Sequence, residues 1–121
     1  MIPTTLVAGA DAGARERAIA AALDGALHAA AILEGLPASD TLLETRAGLD
    51  VSRIAAGCPC CQGNLVLRVT LNRVLQKRPD RLFIALASLQ HLAALRDFLA
   101  SAPYSRMLAL TQDLLPPSRS Q

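Results

Sequence analysis

Thr5-Leu6-Val7-Ala8-Gly9-Ala10-Asp11-Ala12-Gly13-Ala14-Arg15-Glu16-Arg17 is the stretch that decides the fold. Thr5 to Ala8 is a short apolar run that reads as a buried strand. Gly9 to Gly13 is small and glycine-bearing, so the chain turns there. Arg15 to Asp24 then reads as a helix, with Ile19, Ala22 and Leu23 on one face and Gly25 as its stop. A strand feeding a helix through a glycine turn is the opening unit of a parallel α/β sheet.

The pattern repeats downstream. Leu27 to Leu33 reads as a second strand and Gly35 to Asp40 as a loop, and Val51 to Ala56 reads as a third strand. A helix is expected from Gln62-Gly63-Asn64 to about Lys77, with Leu65, Val69 and Val74 setting its inward rhythm and Leu71 and Leu75 widening the stripe. Lys77-Arg78 complements the negative end of that helix, and Pro79 stops it. Leu82 to Ala87 is a continuous apolar strand. Ser88 is a cap for a helix that turns Leu92, Leu95 and Leu99 inward, and Met107 to Thr111 is a last strand. The expectation is one α/β domain over residues 1–115 with a mostly parallel sheet and right-handed crossovers, followed by a flexible tail at 116–121. Ligands in such folds bind beyond the C-terminal ends of the strands. Gly9–Gly13 and the cysteine turn described below both fall there.

Composition narrows the function. The chain has 121 residues, 52% of them hydrophobic but only 2% aromatic, so its core is aliphatic. Base-stacking recognition of nucleic acid needs aromatic platforms that this chain lacks. The net charge of +2 gives no field that calls for an acidic partner or a membrane surface. No apolar run is long enough to span a bilayer, and Met1-Ile2-Pro3-Thr4-Thr5 lacks the basic start of a secretory signal. The reading is therefore cytoplasmic, a compartment where thiols stay reduced.

All three cysteines lie within four residues, Cys58-Pro59-Cys60-Cys61. Three thiols in one turn are a soft-metal ligand set, a redox or reactive centre, or small core-filling side chains. Pro59 stiffens the turn, and Cys61 precedes a helix N-terminus, where the dipole favours thiolate. Three ligands leave a tetrahedral ion one short.

The first loop has the context of a phosphate-binding loop but not its chemistry. Such a loop needs converging backbone N–H groups, a Lys and a magnesium-binding hydroxyl. Ala14 stands in the last glycine position, Arg15 in that of Lys and Glu16 in that of the hydroxyl. A planar guanidinium does not replace a compact ammonium, and a carboxylate repels phosphate. One reading is weakened nucleotide binding through Gly9, Gly13, Ala14, Arg15 and Glu16. The other is a plain strand–helix turn.

These elements together resemble the CobW-like P-loop GTPases, relatives of the nickel-insertion GTPases of urease and hydrogenase maturation. The resemblance runs from about residue 4 to about residue 113. Its most specific part is Gly57-Cys58-Pro59-Cys60-Cys61, set before Gly63-Asn64-Leu65-Val66. Leu33-Glu34 and Ile84-Ala85-Leu86-Ala87-Ser88-Leu89 match family strand ends by position. The resemblance implies a three-layer, P-loop-NTPase-like domain, here truncated. It implies a zinc, cobalt or nickel ion on Cys58, Cys60 and Cys61, with Glu34, water or a partner's side chain as fourth ligand. It also implies GTP and Mg²⁺ at the first loop. Ala85 replaces the family's acidic residue, Ser88 replaces its glycine, and Thr111-Gln112-Asp113 lacks the guanine-reading Lys. Phosphoryl transfer depends on such positioned charges, so hydrolysis is expected to be very slow or lost.

The leading expectation is a degenerate GTPase that handles metal for a client metalloprotein, alone, as a homodimer or docked to a full-length relative. The alternatives are a weak GTPase using Arg15 and a structural remnant that pairs with a partner through its sheet edge. His28 and His91 are read as packed or surface residues. Asp11 is read as holding its turn, and Asp40, Glu44 and Asp50 as solvated. Arg73, Lys77, Arg78 and Arg81 are read as a helix-end charge cluster.

Overall fold

The computed structural model describes residues 1–9, 11–23, 28–35, 43, 47–54 and 63–116. Among the described residues five strands form one sheet: β1 (Ile2–Ala8), β2 (Ala29–Glu34), β3 (Leu49–Ile54), β4 (Arg81–Leu86) and β5 (Leu108–Leu110). Their order across the sheet is β3-β2-β4-β1-β5, and every pairing is parallel. Three helices, α1 (Ala12–Ala22), α2 (Gly63–Gln76) and α3 (Leu89–Leu99), complete the expected three-layer α/β arrangement.

Alternation along the strands builds two cores. Leu6, Ala30, Ile32, Leu82, Ile84 and Leu86 face α2 and α3 and meet Leu67, Leu71, Val74, Leu92, Leu95 and Leu99. Val7, Ala29, Ala31, Leu33, Phe83 and Ala85 face the other way and meet Ile19 of α1. The small residues Ala29–Ala31 let the layers approach closely on both faces of β2. Helix α3 has the expected form. Ser88 Oγ accepts from Gln90 N–H at 3.1 Å, and Leu92, Leu95 and Leu99 are buried.

Several expectations need correction. Helix α1 begins at Ala12 rather than Arg15, because Asp11 caps it by accepting from Ala14 N–H at 3.2 Å. Gly13 is therefore buried in the first helical turn instead of forming part of the loop. Strands β2 and β3 are offset by about two residues from the apolar runs, and β3 includes Leu49 and Asp50. The inward rhythm of α2 is also different. Leu65 and Val69 are exposed at 63% and 53%, whereas Leu67, Leu71 and Val74 pack on the sheet. Asp50 is not simply solvated, since it takes Lys77 Nζ at 2.9 Å.

The path of the chain fixes where a ligand would be expected. From β1 the chain crosses to β2 by way of α1. From β4 it crosses in the opposite direction to β5 by way of α3, on the other face. Adjacent strands β1 and β4 therefore bound a topological switch point, with Gly9 following one strand and Ala87–Ser88 the other.

Candidate functional site at the switch point

Gly9 follows the last residue of β1 and has φ +154°, a conformation that side chains resist. Its N–H donates to the Leu86 carbonyl of β4 at 3.3 Å. Its own carbonyl accepts from Arg15 Nη1. Arg15 Nη2 donates to the Glu34 backbone carbonyl at 3.4 Å. Arg15 is only 4% exposed, and its guanidinium ties the end of β1 to the end of β2. Burial pushes its pKa below the usual arginine value, and the nearby carboxylates of Glu34, Glu16 and Asp11 push it back up.

Glu16 is equally buried, at 3%. Its Oε1 accepts from Leu43 N–H at 3.2 Å, and its two oxygens accept from Arg53 Nη2 and Nη1 at 3.4 Å. Arg53 also donates to the Leu43 carbonyl at 3.0 Å. A buried carboxylate persists only with such partners. Glu16 thus fastens α1 to β3 and to Leu43. Ala14, directly before these two charged residues in sequence, is also buried, at 7% exposed.

Glu34 closes the rim. Its Oε1 accepts from Ala87 N–H at 2.8 Å, joining the end of β2 to the β4–α3 turn, and the residue is 6% exposed. Ala85 packs in the α1-side core, and Ser88 serves as a cap. Thr111 and Leu114 extend the pairing with β1, and Asp113 lies between them. Thr111 N–H donates to the Thr4 carbonyl at 2.9 Å, Leu114 N–H to that of Leu6 at 2.9 Å, and Asp113 pairs with Arg96 at 2.7 Å.

A phosphate loop presents donors toward an open space. Here the one cation of the loop is spent on carbonyls of the same chain, and the adjacent anion is neutralised by Arg53. Arg15 thus joins Gly9 to Glu34, whereas Glu16 is turned to Arg53 and Leu43. Arg53 and Leu43 were not singled out from the sequence. The available signal was parity: Leu49, Val51 and Arg53 share the α1-facing side of β3, so a charge there needs a buried counter-charge.

Cys58, Cys60 and Cys61 lie outside the described residues. Among the described residues there is no group of three or more His, Cys, Asp or Glu side chains that would hold a metal ion. Strand β3 ends at Ile54, paired in register with Glu34, so the chain leaves the sheet beside the Glu34 rim four residues before Cys58. His28 N–H donates to Asp80 Oδ2 at 3.1 Å and its carbonyl accepts from Asp80 N–H at 2.7 Å, a clamp on the far end of the sheet. His91 is half-buried, and its Nδ1 has no partner among the described residues.

No helix is long and apolar enough to cross a membrane among the described residues. No family model matches the chain, and searches of curated proteins and of solved structures likewise found no match.

Proposed function

We propose that this chain is a CobW-like metal-handling domain whose phosphate loop has become an internal latch. The observation that carries the reading is the Arg15 guanidinium held by the carbonyls of Gly9 and Glu34 at the switch point. A nucleotide's phosphates would have to displace those bonds, and Glu16, whose oxygens are taken by Arg53 and Leu43 N–H, stands where a magnesium-binding hydroxyl would be needed. Both points support loss of GTP and Mg²⁺ chemistry.

The thiols of Cys58, Cys60 and Cys61 remain chemically competent. They follow a strand that ends beside Glu34, whose carboxylate is fixed at the rim by Ala87 N–H. A zinc, cobalt or nickel ion would be held by the three sulfurs. Glu34, water or a client's side chain would supply the fourth donor. The ion is cargo in this reading, and an incompletely closed ligand set favours its transfer to a client metalloprotein. Binding would release thiol protons and so strengthen as pH rises.

The test is a competitive Zn²⁺ titration of reduced protein, with GTP binding measured in parallel. The expected result is one tight site, lost when Cys58, Cys60 and Cys61 are all changed to Ser, and no GTP affinity. Unchanged Zn²⁺ affinity in the triple variant refutes the metal reading. GTP turnover abolished by Arg15→Ala refutes the latch.

A further inference from the structure

The described surface is unusual along α2. Leu65, Val66 and Val69 are 63%, 51% and 53% exposed, and Val69 lies four residues after Leu65 and three after Val66, so it joins the two into one apolar patch on the first two turns. Single exposed apolar residues are ordinary, but a cluster on one helix face marks a contact site. The opposite stripe of the same helix, Leu67, Leu71 and Val74, is locked in the core, so the helix cannot rotate to hide the patch.

Charge continues the same face. Residues 63–78 contain Arg68, Arg73, Lys77 and Arg78 and no acidic residue. The other 105 positions carry eight basic against ten acidic residues, so the positive charge is concentrated here. Lys77 is neutralised by Asp50. Arg68, Arg73 and Arg78 form no ion pair among the described residues. Beside this face, a groove of about 320 Å³ runs between α2 and edge strand β3, lined by Thr70, Arg73 and Lys77 on one side and Asp50 and Ser52 on the other.

We infer that this face of α2 docks an acidic amphipathic helix of a partner protein. Apolar anchors of that helix would cover Leu65, Val66 and Val69, and its carboxylates would meet Arg68 and Arg73. A second copy of this chain is a poor occupant, because it would set one unbalanced positive helix against another. An anionic membrane is a poor occupant as well. Interfacial helices immerse a broad apolar face, and here the larger apolar stripe is already buried in the protein. The inference is independent of the metal reading, since it uses neither the cysteines nor the first loop.

The test uses the full chain and a labelled synthetic helix carrying Leu at i, i+3, i+4 and i+7 with Glu elsewhere. Fluorescence anisotropy is read at low and at physiological salt. Saturable binding that weakens with salt is expected. It should fall at least about tenfold in Arg68→Glu/Arg73→Glu and in Val69→Ser, with circular dichroism unchanged because these side chains are exposed. Four results overturn the inference: no binding of the acidic helix, equal binding of the same helix with Lys in place of Glu, stronger binding to phosphatidylserine vesicles than to the peptide, or self-association that the same substitutions abolish.

Discussion

Glu16→Gln tests whether the buried charges of the first helix hold the fold. Glu16 is 3% exposed and accepts three hydrogen bonds, two from Arg53 and one from Leu43 N–H. Removing one member of a buried ion pair typically costs about 3–5 kcal/mol. Two features lower that figure. Both contacts to Arg53 are 3.4 Å, the long end of the hydrogen-bond range, and the Arg53 side chain is 26% exposed, so water relieves part of its lost pairing. The glutamine oxygen also keeps an acceptor for Leu43. The expected loss is about 2 kcal/mol, equivalent to roughly 6–10 °C in melting temperature for a domain of this size. Glu16→Ala leaves the Leu43 amide without its acceptor as well and should cost about 3–4 kcal/mol. Urea denaturation followed by circular dichroism reads both values, with the slope unchanged if only native stability moves. Combining Glu16→Gln with Arg53→Met should reveal a coupling of about 1–2 kcal/mol. A single-variant loss below about 0.5 kcal/mol, or zero coupling in the cycle, would refute the reasoning.

Leu71→Ala should cost about 2–5 kcal/mol, whereas Leu65→Ala should stay within about 0.5 kcal/mol, and denaturation midpoints of the pair identify the inward stripe of α2. Ser88→Ala removes the α3 cap and is expected to lower stability by about 1 kcal/mol, with Ser88→Gly costing only a few tenths, as read by thermal melts. Glu34→Ala strips the acceptor from Ala87 N–H and a counter-charge from Arg15, so a loss of about 1–3 kcal/mol is expected in chemical denaturation even without metal. Gly9→Ala forces a side chain onto φ +154° with its Cβ 3.4 Å from the Pro116 carbonyl, and a destabilisation of about 1–3 kcal/mol should appear in the same assay.

Helix α3 was legible because one polar cap and three leucines at helical spacing leave a single solution. Helix α2 was not. Apolar residues stand at 65, 66, 67, 69, 71, 74 and 75, so Leu65–Val69 and Leu67–Leu71 satisfy the same spacing, and only contact with β2 and β3 selects between them. The all-parallel layers followed from alternating elements, while strand ends moved because hydrogen-bond register, not apolarity, sets them. At the switch point the changed chemistry of Arg15 and Glu16 was readable. Their partners were not, since Glu34, Leu43 and Arg53 are distant in sequence and meet them only through the sheet. Asp11 held its turn as expected, by capping.

β1 precedes in sequence both of the strands that flank it. β1 lies between β4 and β5, with Leu114 bridged to Val7 beyond them, so both its hydrogen-bonding edges wait for segments at the opposite end of the chain. At ribosomal speed that delay lasts seconds. Until those segments arrive, Ile2–Ala8 presents two unpaired edges that invite pairing with another chain.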